Sequence, residues 1–469
     1  MKKNSLLLFL IASFFTAHGQ DWQELGTGSD RLRSTHTISS ICSDTGGVVY
    51  AAGIVDSSSG KFCVKKWNPQ TSVWTTLGSD TAFYSFGEID GLCVDMNHYL
   101  YAGINKGNPF IKSTVVRWDG ISWQELGIGA NGLNGNNPIN ALCTDAVGGI
   151  YAAGSFTDGP FGMGHCYVAK WDGEHWLELG TGSDALNPNK QINAIETDKH
   201  GYVYAAGDFD TFQIPGYHNY VAQWDGFHWH QLGTGTNILP SNIGVSSLAA
   251  DTQGNVYATT IYSSPGLVSM YVAKWNGSDW SELGAGGHAL NANDFITKIK
   301  TDNAGNVYAG GLFTDPEGKI YVAKWDHNTD EWHPLGSDDL NAHFPHDQGP
   351  IYSLDVNTDG DVYVGGDFCD DTTLRACHTY VAKFAQMISG IHAIGSETET
   401  IVYPNPTTGE LHLTDNEAGS YTLYSIMGKE VMKCDLPAKN ASFDISGLPN
   451  GIYLLKLKSS GSILKIEKQ

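Results

Sequence analysis

Short runs of alternating apolar and polar residues fill most of this 469-residue chain. IYAAGSFT from Ile150 and YVAKW from Tyr167 are typical: apolar at every second position and bounded by Asp, Asn and Gly. A period of two predicts half-buried strands. Four such runs form a unit, and the unit recurs. Its first run is ISSIC, IDGLC, INALC, INAIE, VSSLA, ITKIK or IYSLD, starting at Ile38, Ile89, Ile139, Ile192, Val245, Ile296 and Ile351. Asp44, Asp95, Asp145, Asp198, Asp251, Asp302 or Asn357 follows, and six residues later comes Tyr50, Tyr101, Tyr151, Tyr204, Tyr257, Tyr308 or Tyr363. An Asx residue with Gly between alternating runs predicts a tight hairpin, so these acids read as turn formers and not as catalytic groups. The second run is V-Y-A-A-G or a near copy, the third Y-V-A-K-W, the fourth W-x-x-L-G.

Seven copies at a Tyr-to-Tyr spacing of 50 to 55 residues predict an all-β, seven-bladed β-propeller with four-stranded blades. All thirteen tryptophans fall in two repeat registers, the end of the third run and the start of the fourth, as expected of rings packed between blades. The seventh copy stops at Phe384 without a W-x-x-L-G phrase, while an orphan WQELG stands at Trp22 before the first copy. The N-terminal phrase is therefore expected to supply the outer strand of the last blade and tie the ring shut. The first-to-second and third-to-fourth turns are short. The second-to-third and blade-to-blade connections are long and variable, and strand alternation puts both long classes on one face, where function is expected.

At this length a chain normally divides into several cores, but a repeat array buries each unit on the next. The net charge of −23 repels nucleic acid and anionic membranes and suits neutral glycans, cationic partners or divalent metal. The charge lies in the repeat region, since seven Lys/Arg meet eight Asp/Glu from Thr398 onward. No internal apolar run approaches the ~20 residues of a membrane helix. Cys42, Cys93 and Cys143 share one repeat slot and read as buried small residues, whereas Cys369 and Cys377 flank one loop and are candidates for a disulfide.

Met1 to Gly19 has two lysines, an apolar stretch and a small-residue end, the pattern of a secretory signal peptide. The propeller is expected over 20–386 and a linker over 387–400. The repeat G-x-F-T…V-A-K-W-D-G-x-x-W-x-x-L-G resembles a propeller repeat of secreted bacterial proteins; the copy at Tyr257, with ATTIYSS, departs from it. Residues 401–469 resemble the type A C-terminal sorting domain of the type IX secretion system, through Tyr403-Pro404-Asn405-Pro406, Gly428-Lys429, Leu448-Pro449-Asn450-Gly451, Tyr453, Lys465 and Lys468. From the residues alone this tail reads as a small alternating β-sandwich. The resemblance implies engagement of the type IX secretion machinery, export across the outer membrane, and cleavage of the tail with release or surface attachment of the cargo.

Asp355, Asn357, Asp359 and Asp361 fit the start of an oxygen-ligand calcium loop, so calcium is a candidate cofactor. The twelfth-position carboxylate is missing, and the same slot is a plain hairpin in six other copies, so a decorated Asx turn is the competing reading. His343, His346 and Asp347 form a second candidate metal cluster. No nucleophile elbow, zinc-protease helix or phosphate loop is present. The expected activity is binding of a glycan or protein through the long-loop face, with Phe83, Tyr84, Phe86, Phe110, Phe161, Phe212, Tyr217 and Phe344 as candidate stacking rings. The alternatives are a polysaccharide hydrolase or lyase with paired loop carboxylates, and an adhesion scaffold without a small ligand.

Overall fold

The computed structural model describes residues 22–26, 31–32, 34, 36–55, 62–78, 87–106, 112–158, 164–210, 219–234, 237–265, 267–284, 286–316, 318–336, 349–368, 378–385, 401–403, 407–414, 419–425, 430–436, 441–457 and 463–468. The chain divides into two compact units, Met1–Gln386 and Met387–Gln469.

The first unit is a propeller of seven four-stranded antiparallel sheets. The innermost strands are Ser40–Ser43, Gly87–Val94, Ile139–Thr144, Ile192–Thr197, Leu248–Ala250, Ile296–Thr301 and Ile351–Val356, and they define blades 1 to 7. Each touches the inner strand of the blade before and after it, the first and seventh included, so they form a closed circle. In blade 7 the outer strand is Trp22–Glu24, which pairs antiparallel with Ala382–Phe384 in the register Trp22 to Phe384. The departing copy at Tyr257 keeps its place as blade 5 and builds a longer hairpin, Val256–Ser264 against Leu267–Trp275.

The repeated residues explain the repeated geometry. Asp198 Oδ1 accepts the N–H groups of His200 and Tyr202 at 2.9 and 3.0 Å, which closes the hairpin. Its Oδ2 accepts the hydroxyl of Tyr204 at 2.9 Å, and Asp95, Asp145, Asp251 and Asp302 hold Tyr101, Tyr151, Tyr257 and Tyr308 alike at 2.9–3.0 Å. Burial first, then the carboxylate, raises the Tyr204 pKa, so the ring stays a hydrogen-bond donor. Each hydrophobic cluster is shared by two blades, as where Tyr101, Val115 and Leu126 of blade 2 pack on Ile139, Ile150 and Phe156 of blade 3.

The two tryptophan registers meet at 5.4–5.6 Å in five blades, and Trp22 meets Phe384 at 5.5 Å in the seventh. The glycine that ends W-x-x-L-G turns the chain at positive φ; at Gly180 φ is 84° and a Cβ would collide with the carbonyl oxygen of Asp184.

The second unit has a three-stranded sheet, Ile401–Tyr403, Glu410–Thr414 and Ala441–Asp444, and a four-stranded one of Glu430–Leu436, Gly419–Ser425, Gly451–Leu457 and Ile463–Lys468. Leu411 from the first and Leu423, Leu455 and Ile466 from the second share one core with Ile445 and Tyr453. The Tyr453 hydroxyl donates to the Pro449 carbonyl at 2.7 Å and locks the Leu-Pro-Asn-Gly turn.

Candidate functional site: the central channel and a cleft on the long-loop face

The propeller axis is a channel of about 220 Å3 lined by all seven inner strands. An inner strand is a sheet edge, so every second N–H would face the channel without a partner. Side chains of the preceding blade cover many of them. The Leu92 N–H donates to Ser40 Oγ at 3.0 Å, that of Ile299 to Ser247 Oγ at 3.1 Å, and that of Ile41 to Ser353 Oγ at 2.8 Å. At the strand starts a bulge frees the second residue to reach the next blade. Asn140 thereby donates to the Ile192 carbonyl at 3.0 Å; in blade 5 Ser246 donates to that of Ile296 at 2.8 Å.

The fifth residues of the seven first runs of the repeat form a ring of Cys42, Cys93, Cys143, Glu196, Ala249, Lys300 and Asp355. Lys300 Nζ lies 3.2 Å from Glu196 Oε2, two blades away, across the small Ala249 of blade 5. Glu196 keeps this lysine charged and raises its pKa. Asp355 Oδ2 accepts both the N–H and the hydroxyl of Ser43, at 2.7 and 2.6 Å. Burial raises the thiols of Cys42, Cys93 and Cys143, so they stay protonated and poorly nucleophilic. A second cavity, of about 260 Å3, continues toward the hairpin face and shares Glu196, Lys300 and Asp355 with the first.

A separate cleft of about 430 Å3 lies at the junction of blades 3 and 4 on the long-loop face. Its walls are Ser155, Thr157, Gly164 and Cys166 from blade 3, Pro188 to Gln191 from the connection, and Asp208 from blade 4. Asp208 fixes it: Gln191 Nε2 and Asn193 Nδ2 each donate to the carboxylate at 2.8 Å, and Ser155 Oγ donates to Gln191 Oε1 at 3.1 Å.

All eight candidate stacking rings, Phe83, Tyr84, Phe86, Phe110, Phe161, Phe212, Tyr217 and Phe344, lie outside the described residues, as do His343, His346, Asp347, Cys369 and Cys377. The four candidate calcium ligands are described, and three of their side chains are engaged elsewhere. Asp355 faces Ser43, Asn357 Oδ1 closes its own hairpin by accepting the N–H groups of Asp359 and Asp361 at 3.0 and 2.8 Å, and Asp361 lies 2.6 Å from Lys383 Nζ. Among the described residues no three His, Cys, Asp or Glu side chains converge on a metal position. In the tail, Pro404, Asn405, Pro406, Gly428 and Lys429 are outside the described residues, while Tyr403, Gly451, Tyr453 and Lys465 lie in strands. Sequence reading passed over Glu196, Lys298, Lys300 and Asp90. The available signal was a break in the repeat, since Lys298 takes a slot that six other blades fill with Ser, Ala or Gly.

A seven-bladed propeller followed by a β-sandwich tail is thus the class that the fold defines. Residues 401–469 match the secretion system C-terminal sorting domain, which identifies the tail as a type IX sorting domain and the chain as exported, to the cell surface or the medium. Among the described residues no helix is long and apolar enough to cross a membrane. No curated protein matches the sequence. Among solved structures, the β-propeller domain of the Trilobed protease from Pyrococcus furiosus is similar at 10% identity and a TM-score of 0.50, over 74% of this chain and 95% of that one. PorZ, a bacterial surface component of the type-IX secretion system of Porphyromonas gingivalis, is similar at 13% identity and a TM-score of 0.41 over 90% of this chain. This chain spans 64% of the PorZ chain. A polysaccharide lyase acting on ulvan is similar at 11% identity and a TM-score of 0.43, over 77% and 95%. At 10% identity the likeness to the protease's β-propeller domain bears on the propeller fold alone.

Proposed function

We propose that this exported propeller is a carbohydrate-binding protein that takes a neutral glycan in the cleft between blades 3 and 4. The observation that carries the reading is the lining of that cleft. Hydroxyls of Ser155 and Thr157, amides of Asn189 and Gln191 and the Asp208 carboxylate stand around about 430 Å3, a set of donors and acceptors suited to vicinal sugar hydroxyls. Phe161 follows Asp158 by three positions in sequence, and Phe212 and Tyr217 follow Asp208 by four and nine, so candidate stacking rings lie near the cleft along the chain. The net charge of −23 disfavours polyanionic chains and leaves neutral ones. In this reading residues 1–19 direct passage across the inner membrane, and the tail is removed within 387–400 after export.

A glycan array probed with the purified protein tests the proposal. A neutral glycan should bind, and Asn189→Ala and Gln191→Ala should each weaken that glycan at least about tenfold, the loss of one or two hydrogen bonds, without moving the melting temperature. An empty array, or variants that bind like the parent, would overturn it.

A further inference from the structure

We propose that the central channel binds a small carboxylate monoanion, held by the Lys298 ammonium and the hydroxyls of Ser247, Ser353 and Ser40. The third residues of the seven first runs of the repeat form one level of the channel wall: Ser40, Gly91, Ala141, Ala194, Ser247, Lys298 and Ser353. That level is lopsided. Blades 5, 6, 7 and 1, which are consecutive round the ring, contribute Ser247, Lys298, Ser353 and Ser40, all hydrogen-bond donors. Blades 2, 3 and 4 contribute Gly91, Ala141 and Ala194, which have almost no side chain and leave the space open. Donors along one arc and room along the other make a receptor for one anion.

The neighbouring bonds leave these donors unspent. Each serine oxygen accepts a backbone N–H from the next blade, from Leu92, Ile299 or Ile41, and among the described residues none of the three hydroxyl hydrogens is given away. Gly91, Ala141 and Ala194 have no oxygen to offer the equivalent N–H groups of Leu142, Ile195 and Leu248. Those three edge donors are therefore also available to whatever fills the channel.

The charges select a monoanion. Three carboxylates line the channel with two lysines, and the carboxylates are committed: Glu196 to Lys300 at 3.2 Å, Asp355 to Ser43, and Asp90 to Asn105 Nδ2 at 2.8 Å. Lys298 alone of the five charged side chains makes no hydrogen bond or ion pair among the described residues. Among the described residues Lys298 is thus the one channel cation left without a hydrogen-bonded partner, and because the three carboxylates and two lysines already leave the channel at a net −1, a dianion would be repelled more strongly than a monoanion. Burial, and after it the neighbouring Lys300, pushes the Lys298 pKa down to about 8, against the smaller opposing pull of Glu196 and Asp90. At about 220 Å3 the cavity admits a molecule the size of an acidic monosaccharide and excludes a polymer.

Calorimetry and thermal melting of the full chain with sodium acetate, sodium D-glucuronate and inorganic phosphate, against sodium chloride of equal ionic strength, test the site. At a Kd of about 1 mM, about 10 mM carboxylate should raise the melting temperature by about 2 °C over the chloride control. Lys298→Met should abolish the rise, Lys298→Arg should retain part of it, and Ala141→Leu should block it by filling the open arc with the lysine untouched. Equal response to carboxylate and phosphate would overturn the monoanion assignment. No response in the parent, or one that survives Lys298→Met, would overturn the site.

Discussion

The indole N–H of Trp22 donates to the carbonyl oxygen of Leu335 at 2.9 Å, across 313 positions of sequence. The same bond runs from Trp74 to Leu25, Trp123 to Leu77, Trp176 to Leu126, Trp229 to Leu179, Trp280 to Leu232 and Trp332 to Leu283, at 2.7–3.1 Å. Each links one blade's outer strand to the blade before it, and the seven make an unbroken circuit. Trp22 serves blade 7 and Leu25 receives from blade 1, so the short N-terminal phrase Trp22–Leu25 carries two of the seven links.

Trp229→Phe should keep the ring's apolar contact and leave the Leu179 carbonyl without its donor. A loss of about 1–3 kcal/mol is expected, read as a lower urea midpoint at unchanged slope. A loss of equal size at each of the other internal blades would show that the circuit is uniform.

Tyr204→Phe removes the hydroxyl that Asp198 Oδ2 accepts and leaves a buried carboxylate oxygen short of one donor. It should cost about 1–3 kcal/mol. Tyr363→Phe should cost less, because in blade 7 the partner is Asn357 at 3.5 Å. Equal losses at the two sites would contradict the paired-turn account.

Lys298 ties stability to pH. Its folded pKa, about 8, lies below the ordinary lysine value of about 10.5. A depressed lysine pKa makes protonation cost more in the folded state, so this group's favourable contribution is full above about pH 10.5 and is lost as pH falls through about 8. Lys298→Met should therefore stabilise the protein at pH 7, by about 1–3 kcal/mol once partial exposure is discounted, and the gain should shrink toward pH 10.5. Lys300, Glu196, Asp90, Asp355 and the thiols of Cys42, Cys93 and Cys143 line the same channel. The thiols, raised by burial, stay neutral through most of this window. Urea melts of both proteins at pH 7 and pH 10 measure the difference; a variant weaker than the parent at pH 7 would show that the lysine is not held at a cost.

Deleting residues 401–469 should leave a folded propeller that stays in the periplasm of the native host. The propeller is a compact unit without the tail, and the tail is the sorting domain. Cell fractionation with an antibody to the propeller reads the outcome, and normal export would remove the tail's role.

The repeated parts were legible and the singular parts were not. Asp198 with Tyr204, and Trp22 ahead of an unfinished seventh copy, announce turns and registers because local chemistry dictates them seven times over. The channel escaped notice for the opposite reason. Lys298 and Ala141 are ordinary residues for a strand, and only closure of the ring sets one across from the other. The calcium reading of Asp355, Asn357 and Asp359 rests on spacing alone; in the fold Asp355 faces Ser43 of blade 1 and Asn357 closes its own turn. The cleft at Asn189 and Asp208 joins residues 19 apart whose polar character alone is unremarkable on a surface.

Removal of residues 20–26 tests the closed ring most directly. The account predicts that the truncated protein melts at least about 5 °C below the parent, the equivalent of losing one buried tryptophan from a domain of this size. Leu335 and Trp74 would both be left without their partners. A melting temperature within about one degree of the parent would contradict the closure on which the blades, the channel and its lysine all depend.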